Sequence, residues 1–262
     1  MYDIQEKALE GARKGVGKIS RSFIQWKKCA PHEAEAALNR FSYTADAREA
    51  ARDADLISES VPEDPAVKER VFAQFHELCP ERTIFTSNTS SLVASQFAKG
   101  CGRPDKLIAF HFYDVRTAVI ADVMPHPGTS KETVNTVMDF ARKLKQIPIL
   151  LEKEYPGFLF NNILMAIMGS ALTLASRKVA PVEDIDRSWT GVLRIPLGPF
   201  AMMDGVGLDT VWHITNYWAE KLQDPQALTN AKFVKQYVDK GKLGVKSGEG
   251  FYTYPHPAFQ QP

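Results

Sequence analysis

Thr83-Ile84-Phe85-Thr86-Ser87-Asn88-Thr89-Ser90-Ser91 sets an apolar run directly against a cluster of hydroxyl and amide side chains. A short run rich in β-branched and aromatic residues reads as a strand. An open α/β sheet presents ligands at the carboxyl ends of its strands, so the cluster is placed to offer several short donors and acceptors to a bound molecule. Ser, Thr and Asn are also preferred helix N-caps, and taken alone the same residues read first as a cap for a segment beginning near Leu92.

Working outward, further apolar runs lie at residues 41–44, 56–60, 107–112, 118–124 and 148–151. Between them, residues 4–19, 33–38, 45–52, 65–78, 92–99 and 130–145 are rich in Ala, Glu, Lys and Arg and mostly amphipathic. Helices crossing between parallel strands are the expected connection. After Tyr155-Pro156-Gly157 the pattern changes to helical stretches at 158–178, 182–193, 200–222 and 227–240. Pro removes a donor and Gly tolerates many backbone angles, so the break is natural there. The reading is an α/β domain over residues 1–154 followed by an all-α domain over 155–262, with residues 255–262 a disordered end.

The 262 residues carry 32 basic and 31 acidic side chains, a net charge of +1 that gives no field to hold the chain on nucleic acid or an anionic membrane. A small-molecule partner is the expectation. Cys29, Cys79 and Cys101 form no CxxC pair and no Cys/His cluster, so they read as free thiols and no metal site is expected. The first residues have no apolar leader segment, and the most apolar stretch is interrupted by Asn161, Asn162, Gly169, Ser170 and Thr173. A soluble, cytoplasmic protein is the expectation.

His111 ends the apolar run Ile108-Ala109-Phe110-His111-Phe112, and Asp122 lies in the following run. Imidazole is the side chain best matched to taking a proton from an alcohol near neutral pH, and a carboxylate behind it would set its tautomer. A lone His in an apolar strand also reads as a hydrogen-bonded core residue. Asn161 lies in the first turn of the long apolar helix, where its amide is either a helix-start group or a means of polarising a carbonyl.

Taken in order, Ser87-Asn88-Thr89-Ser90-Ser91-Leu92, His111-Phe112, Pro156-Gly157-Phe158 with Asn161, Pro196-Leu197-Gly198-Pro199-Phe200 with Asp204, Gly205-Val206-Gly207-Leu208-Asp209, and Gly244-Val245-Lys246-Ser247-Gly248-Glu249-Gly250-Phe251-Tyr252 resemble the 3-hydroxyacyl-CoA dehydrogenase family. The resemblance implies an incomplete Rossmann-type doubly wound sheet, NAD as cofactor, a 3-hydroxyacyl-CoA substrate of fatty acid metabolism and a homodimer. It also implies His111 as general base, Ser90 on the reacting oxygen, Asn161 lining the site, and Asp3, Glu63, Lys68, Asn88 and Lys246 on the cofactor.

Two departures accompany it. Asp122 stands where the family has a glutamate paired with the histidine, in a segment one residue shorter, and Asp114 replaces a polar amide. The family's opening strand and Gly-x-Gly-x-x-Gly turn, whose N–H groups hold the pyrophosphate, are not in the sequence. Weak NADH binding by these 262 residues is expected, with residues 1–50 pairing directly across the gap or mobile and Asp3 without a fixed place. The other readings are a non-catalytic homologue acting as a structural or partner-binding protein and a related 3-hydroxy acid dehydrogenase that does not use CoA. The helical half, with Met202, Met203, Val206, Leu208, Val211 and Trp212, is expected to supply the dimer surface.

Overall fold

The alternation of apolar runs and amphipathic stretches builds a five-stranded sheet in the computed structural model, which describes residues 1–116 and 118–260. The chain divides into two compact units, Met1–Leu159 and Phe160–Pro262.

The first unit contains α1 (Glu6–Gln25), α2 (Pro31–Leu38), α3 (Ala47–Ala51), β1 (Leu56–Glu59), α4 (Pro65–Leu78), β2 (Ile84–Ser87), β3 (Leu107–Phe112), β4 (Ile120–Pro125), α5 (Lys131–Lys143) and β5 (Ile147–Leu150). The strands lie in the order β1-β2-β3-β4-β5. All neighbours are parallel except β3 and β4, which run antiparallel. The link from Phe112 to Ile120 is too short for a parallel crossover, which takes about a dozen residues. On one face Phe72 of α4 stacks on Phe85 and Phe97 at 5.3 and 5.8 Å. Ile108, Phe110, Val123 and Val137 form a second buried cluster with α5.

Several expectations are corrected. Residues 41–44 form no strand; Thr44 makes one parallel bridge with Tyr2. The first 50 residues neither pair with β1 nor leave Asp3 unplaced, because Tyr2 packs edge-on against Phe75 at 5.4 Å and Ala51 is fully buried. Asp3 then accepts the Gln5 N–H at 2.8 Å, at the start of α1. Of residues 92–99 only Ala94–Gln96 is helical, a single 3-10 turn.

The second unit holds α6 (Phe160–Ser176), α7 (Val182–Leu193), α8 (Pro199–Val206), α9 (Leu208–Leu222) and α10 (Pro225–Val238). The stretch expected as one helix over 200–222 is broken at Gly207, whose φ of 100° lies outside the helical range. Met203, Leu208 and Val211, expected on a partner surface, are buried in this unit's own core. Phe259 packs on Tyr252 at 4.9 Å, so the end is ordered that far; Gln261 and Pro262 lie outside the described residues.

Two buried aspartates account for the glycines at 198 and 250. Asp186 accepts from Phe200 N, Ala201 N and the Tyr252 hydroxyl, and Asp204 from Phe251 N, Tyr252 N and the Tyr254 hydroxyl, all at 2.9–3.0 Å. A Cβ on Gly198 would lie 2.3 Å from Asp186, and one on Gly250 2.1 Å from Asp204. Among the described residues no helix is long and apolar enough to cross a membrane, and no cluster of His, Cys, Asp and Glu has metal-binding geometry.

Candidate active site

The carboxyl ends of β1 and β2 are in register, with Glu59 opposite Ser87. Asp64 caps α4 through Ala66 N and Val67 N, and that start places Lys68 one turn into the helix. Lys68, only 1% exposed, donates to Glu59 at 2.8 Å and to the Val61 carbonyl at 3.2 Å, and lies 3.2 Å from Glu63. Glu59 also accepts from Val61 N at 2.6 Å and the Ser87 hydroxyl at 2.5 Å. A buried ammonium is tolerable only with such partners.

Glu63 gathers the hydroxyl cluster. Its carboxylate accepts from Ser90 N at 2.8 Å, the Thr89 hydroxyl at 2.9 Å and the Ser91 hydroxyl at 3.2 Å. Burial pushes Glu63 up, but the Ser90 N–H, the Thr89 hydroxyl and Lys68 outweigh it, so its pKa lies below the ordinary carboxylate value. Thr89 also accepts Leu92 N at 3.0 Å and so closes a turn, but the single 3-10 turn that follows has Val93 at its start, so the cluster is not the helix cap it could be read as. Asn88 joins the strand ends, accepting Phe112 N at 2.9 Å while its own N–H donates to the Glu59 carbonyl at 2.8 Å.

His111, 5% exposed, sits on β3 with Asp122 of β4 as its cross-strand partner. Opposite residues in such a pair project to the same face. The Asp122 carboxylate accepts the Tyr113 hydroxyl at 2.6 Å, and Nδ1 of His111 has no hydrogen-bond partner among the described residues. The expected carboxylate is therefore behind the imidazole without being hydrogen bonded to it. The His111 ring lies 4.6 Å from Tyr113 and 5.0 Å from Phe158, which follows Gly157 in a left-handed turn with φ of 80° and 56°. Burial lowers the His111 pKa, while Asp122 and Glu63 act in the opposite sense. The imidazole is thus held neutral and able to accept a proton.

Six of the expected site residues, Glu63, Lys68, Asn88, Ser90, His111 and Asp122, share this end of the first unit's sheet. Asp3 makes no hydrogen bond or ion pair with them among the described residues. Asn161, half-buried in the first turn of α6, and Lys246, paired with Asp209 at 2.6 Å, belong to the second unit. Asp114 is ion-paired with Arg116 at 2.6 Å; Thr117 of the same altered segment lies outside the described residues. The reading from sequence missed Glu59 and Tyr113. A charged residue ending the run Leu56-Ile57-Ser58-Glu59 was the available signal for the first.

The model of the 3-hydroxyacyl-CoA dehydrogenase NAD binding domain matches residues 1–155, and that of the family's C-terminal domain matches residues 157–254. The chain belongs to the 3-hydroxyacyl-CoA dehydrogenase family. It is 32% identical over 254 residues to the mitochondrial hydroxyacyl-coenzyme A dehydrogenase of Sus scrofa, covering 96% of this chain and 81% of that one. A probable 3-hydroxybutyryl-CoA dehydrogenase of Bacillus subtilis is also 32% identical, with 97% and 88% covered. Among solved structures, the (S)-3-hydroxybutyryl-CoA dehydrogenase PaaH1 of Ralstonia eutropha superposes with a TM-score of 0.84 at 27% identity, covering 98% and 90%. A diketoreductase described as acting on dicarbonyl compounds superposes at 0.88 with 35% identity, covering 97% and 89%.

Membership makes the protein an NAD-dependent oxidoreductase with the fold of its family. Glu63, between β1 and α4, Asn88, directly after β2, and Lys68, in the first turns of α4, are polar groups of a kind that fits such a cofactor. No Gly-x-Gly-x-x-Gly turn is among the 262 residues, so no residue is assigned to the pyrophosphate.

Proposed function

We propose that this family member interconverts a 3-hydroxyacyl-CoA and its 3-oxo form with His111 as general base, and that it works as a cytoplasmic homodimer. NAD, when bound, supplies the acceptor for the hydride leaving C3. His111 takes the proton of the C3 hydroxyl as that C–H bond breaks, and returns it in the reverse direction. Ser90 donates to the reacting oxygen, and Glu63 and Lys68 shape the nicotinamide side.

The observation that carries this reading is the buried, neutral imidazole at the end of β3, with Asp122 across from it and Glu63 close enough to influence its charge. A neutral base near an alcohol is what oxidation requires. The homodimer is supported by apolar side chains exposed on the second unit, among them Val192 at 78%, Leu222 at 69% and Ile163 at 62%. Light scattering that gave a monomer mass at micromolar concentration would remove that part.

The chemistry is tested by reduction of acetoacetyl-CoA followed through NADH absorbance. His111→Gln is expected to lower kcat by roughly 10²- to 10⁴-fold with little change in KM. Wild-type turnover in that variant would overturn the assignment. Reduction of a free dicarbonyl compound but not of the thioester would instead favour the reading without CoA, to which the diketoreductase likeness points.

A further inference from the structure

The family resemblance leads one to look for a carboxylate hydrogen bonded to the histidine, and the structure holds something different. Asp122 is directly across the β3–β4 ladder from His111, 2% exposed, and its carboxylate is engaged by the Tyr113 hydroxyl at 2.6 Å. Tyr113 is two residues beyond His111 on the same strand path, and its ring meets the imidazole edge-on at 4.6 Å. One side chain therefore touches both members of the pair. His111 Nδ1 remains without a hydrogen-bond partner among the described residues although it is buried.

We propose that Tyr113 is a positioning residue of this active site: its hydroxyl holds the Asp122 carboxylate away from His111 and so limits how strongly that carboxylate can stabilise the imidazolium. The inference rests on His111 being the general base. Asp122 is one methylene shorter than a glutamate, and engaging it with a phenol spreads part of its charge into that hydrogen bond. The other groups facing the imidazole are Glu63, from the link between β1 and α4, with the Lys68 ammonium behind it, and the apolar ring of Phe158 from the turn before α6. Neither Glu63 nor Lys68 touches Tyr113 or Asp122 through a hydrogen bond or ion pair among the described residues, so the tyrosine can be altered with those charges left in place. With Asp122 so engaged, burial controls the imidazole and keeps it neutral for proton abstraction. With Asp122 released, the cation would gain a direct partner and less of the imidazole would be unprotonated at neutral pH.

The direct test follows the histidine ring resonances of the isotope-labelled 262-residue chain against pH, with His111 assigned by their loss in His111→Gln. Tyr113→Phe, which removes only the hydroxyl, is expected to raise the His111 midpoint by roughly 0.5 to 1 unit. Asp122→Asn is expected to lower it, and the double variant to behave as Asp122→Asn alone. An unchanged or lowered midpoint in Tyr113→Phe overturns the proposal, as does a rise that persists in the double variant. The remaining histidine resonances report whether the fold is intact. In the activity assay the acid limb of kcat should move upward with the midpoint while KM stays constant; a midpoint that rises with no movement of that limb also overturns the positioning role. If the wild-type chain reduces neither acetoacetyl-CoA nor a dicarbonyl while the midpoints still shift as expected, the coupling stands and it is the dehydrogenase reading that fails.

Discussion

Removing the buried ammonium of Lys68 is the severest test of how the site is held. In Lys68→Met the volume is nearly kept, but Glu59, 3% exposed, is left as a buried carboxylate without its cation. Breaking a buried pair from one side costs about 3 to 5 kcal/mol. Glu59 retains the Val61 N–H and the Ser87 hydroxyl, which places the expected loss near the lower end, about 3 kcal/mol. Glu63 adds little, since its side chain is 38% exposed and water can screen it. Lys68→Met combined with Glu59→Gln should recover most of the loss, because the amide oxygen can accept from Val61 N while the amide NH2 donates to the Ser87 hydroxyl oxygen. Two units in one chain make a single melting curve a poor measure, so the readout is hydrogen exchange of the β1 and β2 amides. The single variant should lose protection by roughly 100-fold and the double by less than about 10-fold, at 1.4 kcal/mol per tenfold. Protection in the single variant within about threefold of wild type, or a double variant as labile as the single, would refute the reasoning.

Three further outcomes are expected. Because burial lowers the His111 pKa, the acid limb of kcat/KM for alcohol oxidation should fall below ~6.5, and the stability linked to this group should decline as pH drops through ~6.5 toward the folded value, where the unfolded chain binds the proton more readily; a limb above 7 would contradict it. Glu63, with its pKa depressed, contributes stability present above its unfolded value near ~4.3 and lost as pH falls through its folded one, so Glu63→Gln should flatten the acid side of an exchange-against-pH profile for Ser90 N–H. Gly250→Ala should destabilise the second unit by about 2 kcal/mol or more as read by hydrogen exchange of the α10 amides, since its Cβ would meet Asp204 at 2.1 Å; a change under about 0.5 kcal/mol would show that Asp204 can yield.

Much of the fold was legible because strand signals here are local. Residues 107–112 and 65–78 were read with the bounds the structure gives β3 and α4, since a continuous apolar run marks the first and a Pro after Asp the second. Residues 41–44 carry the same composition but lack a neighbouring strand, and a strand without a partner keeps only the single bridge to Tyr2. Residues 92–99 have helix-forming composition, yet Thr89 and Glu63 bind the preceding backbone into turns and leave one 3-10 turn. At the site, His111 and Asp122 were legible as residue types. Which atom Asp122 binds was not, because that depends on a cross-strand register that sequence spacing does not determine.

The same contrast explains why some family motifs carry chemistry and others carry shape. The glycines at 198 and 250 sit against Asp186 and Asp204, whose carboxylates gather backbone N–H groups of segments far apart in the chain; any side chain there would displace the carboxylate. Those aspartates are buried, fully used by backbone and tyrosine donors, and have no free valence for a substrate. In the first unit the arrangement is reversed. Glu59 and Lys68 satisfy each other below the surface, while Glu63 holds the partly exposed hydroxyl cluster and His111 keeps a ring nitrogen without a hydrogen-bond partner among the described residues. An orphaned nitrogen on a buried base costs roughly 1 to 3 kcal/mol that a purely structural histidine would avoid by binding a carbonyl or carboxylate. The cluster around Glu63 and the carboxylate across from His111 hold that group in place without satisfying it, and this is the property that separates a reacting centre from a packed core.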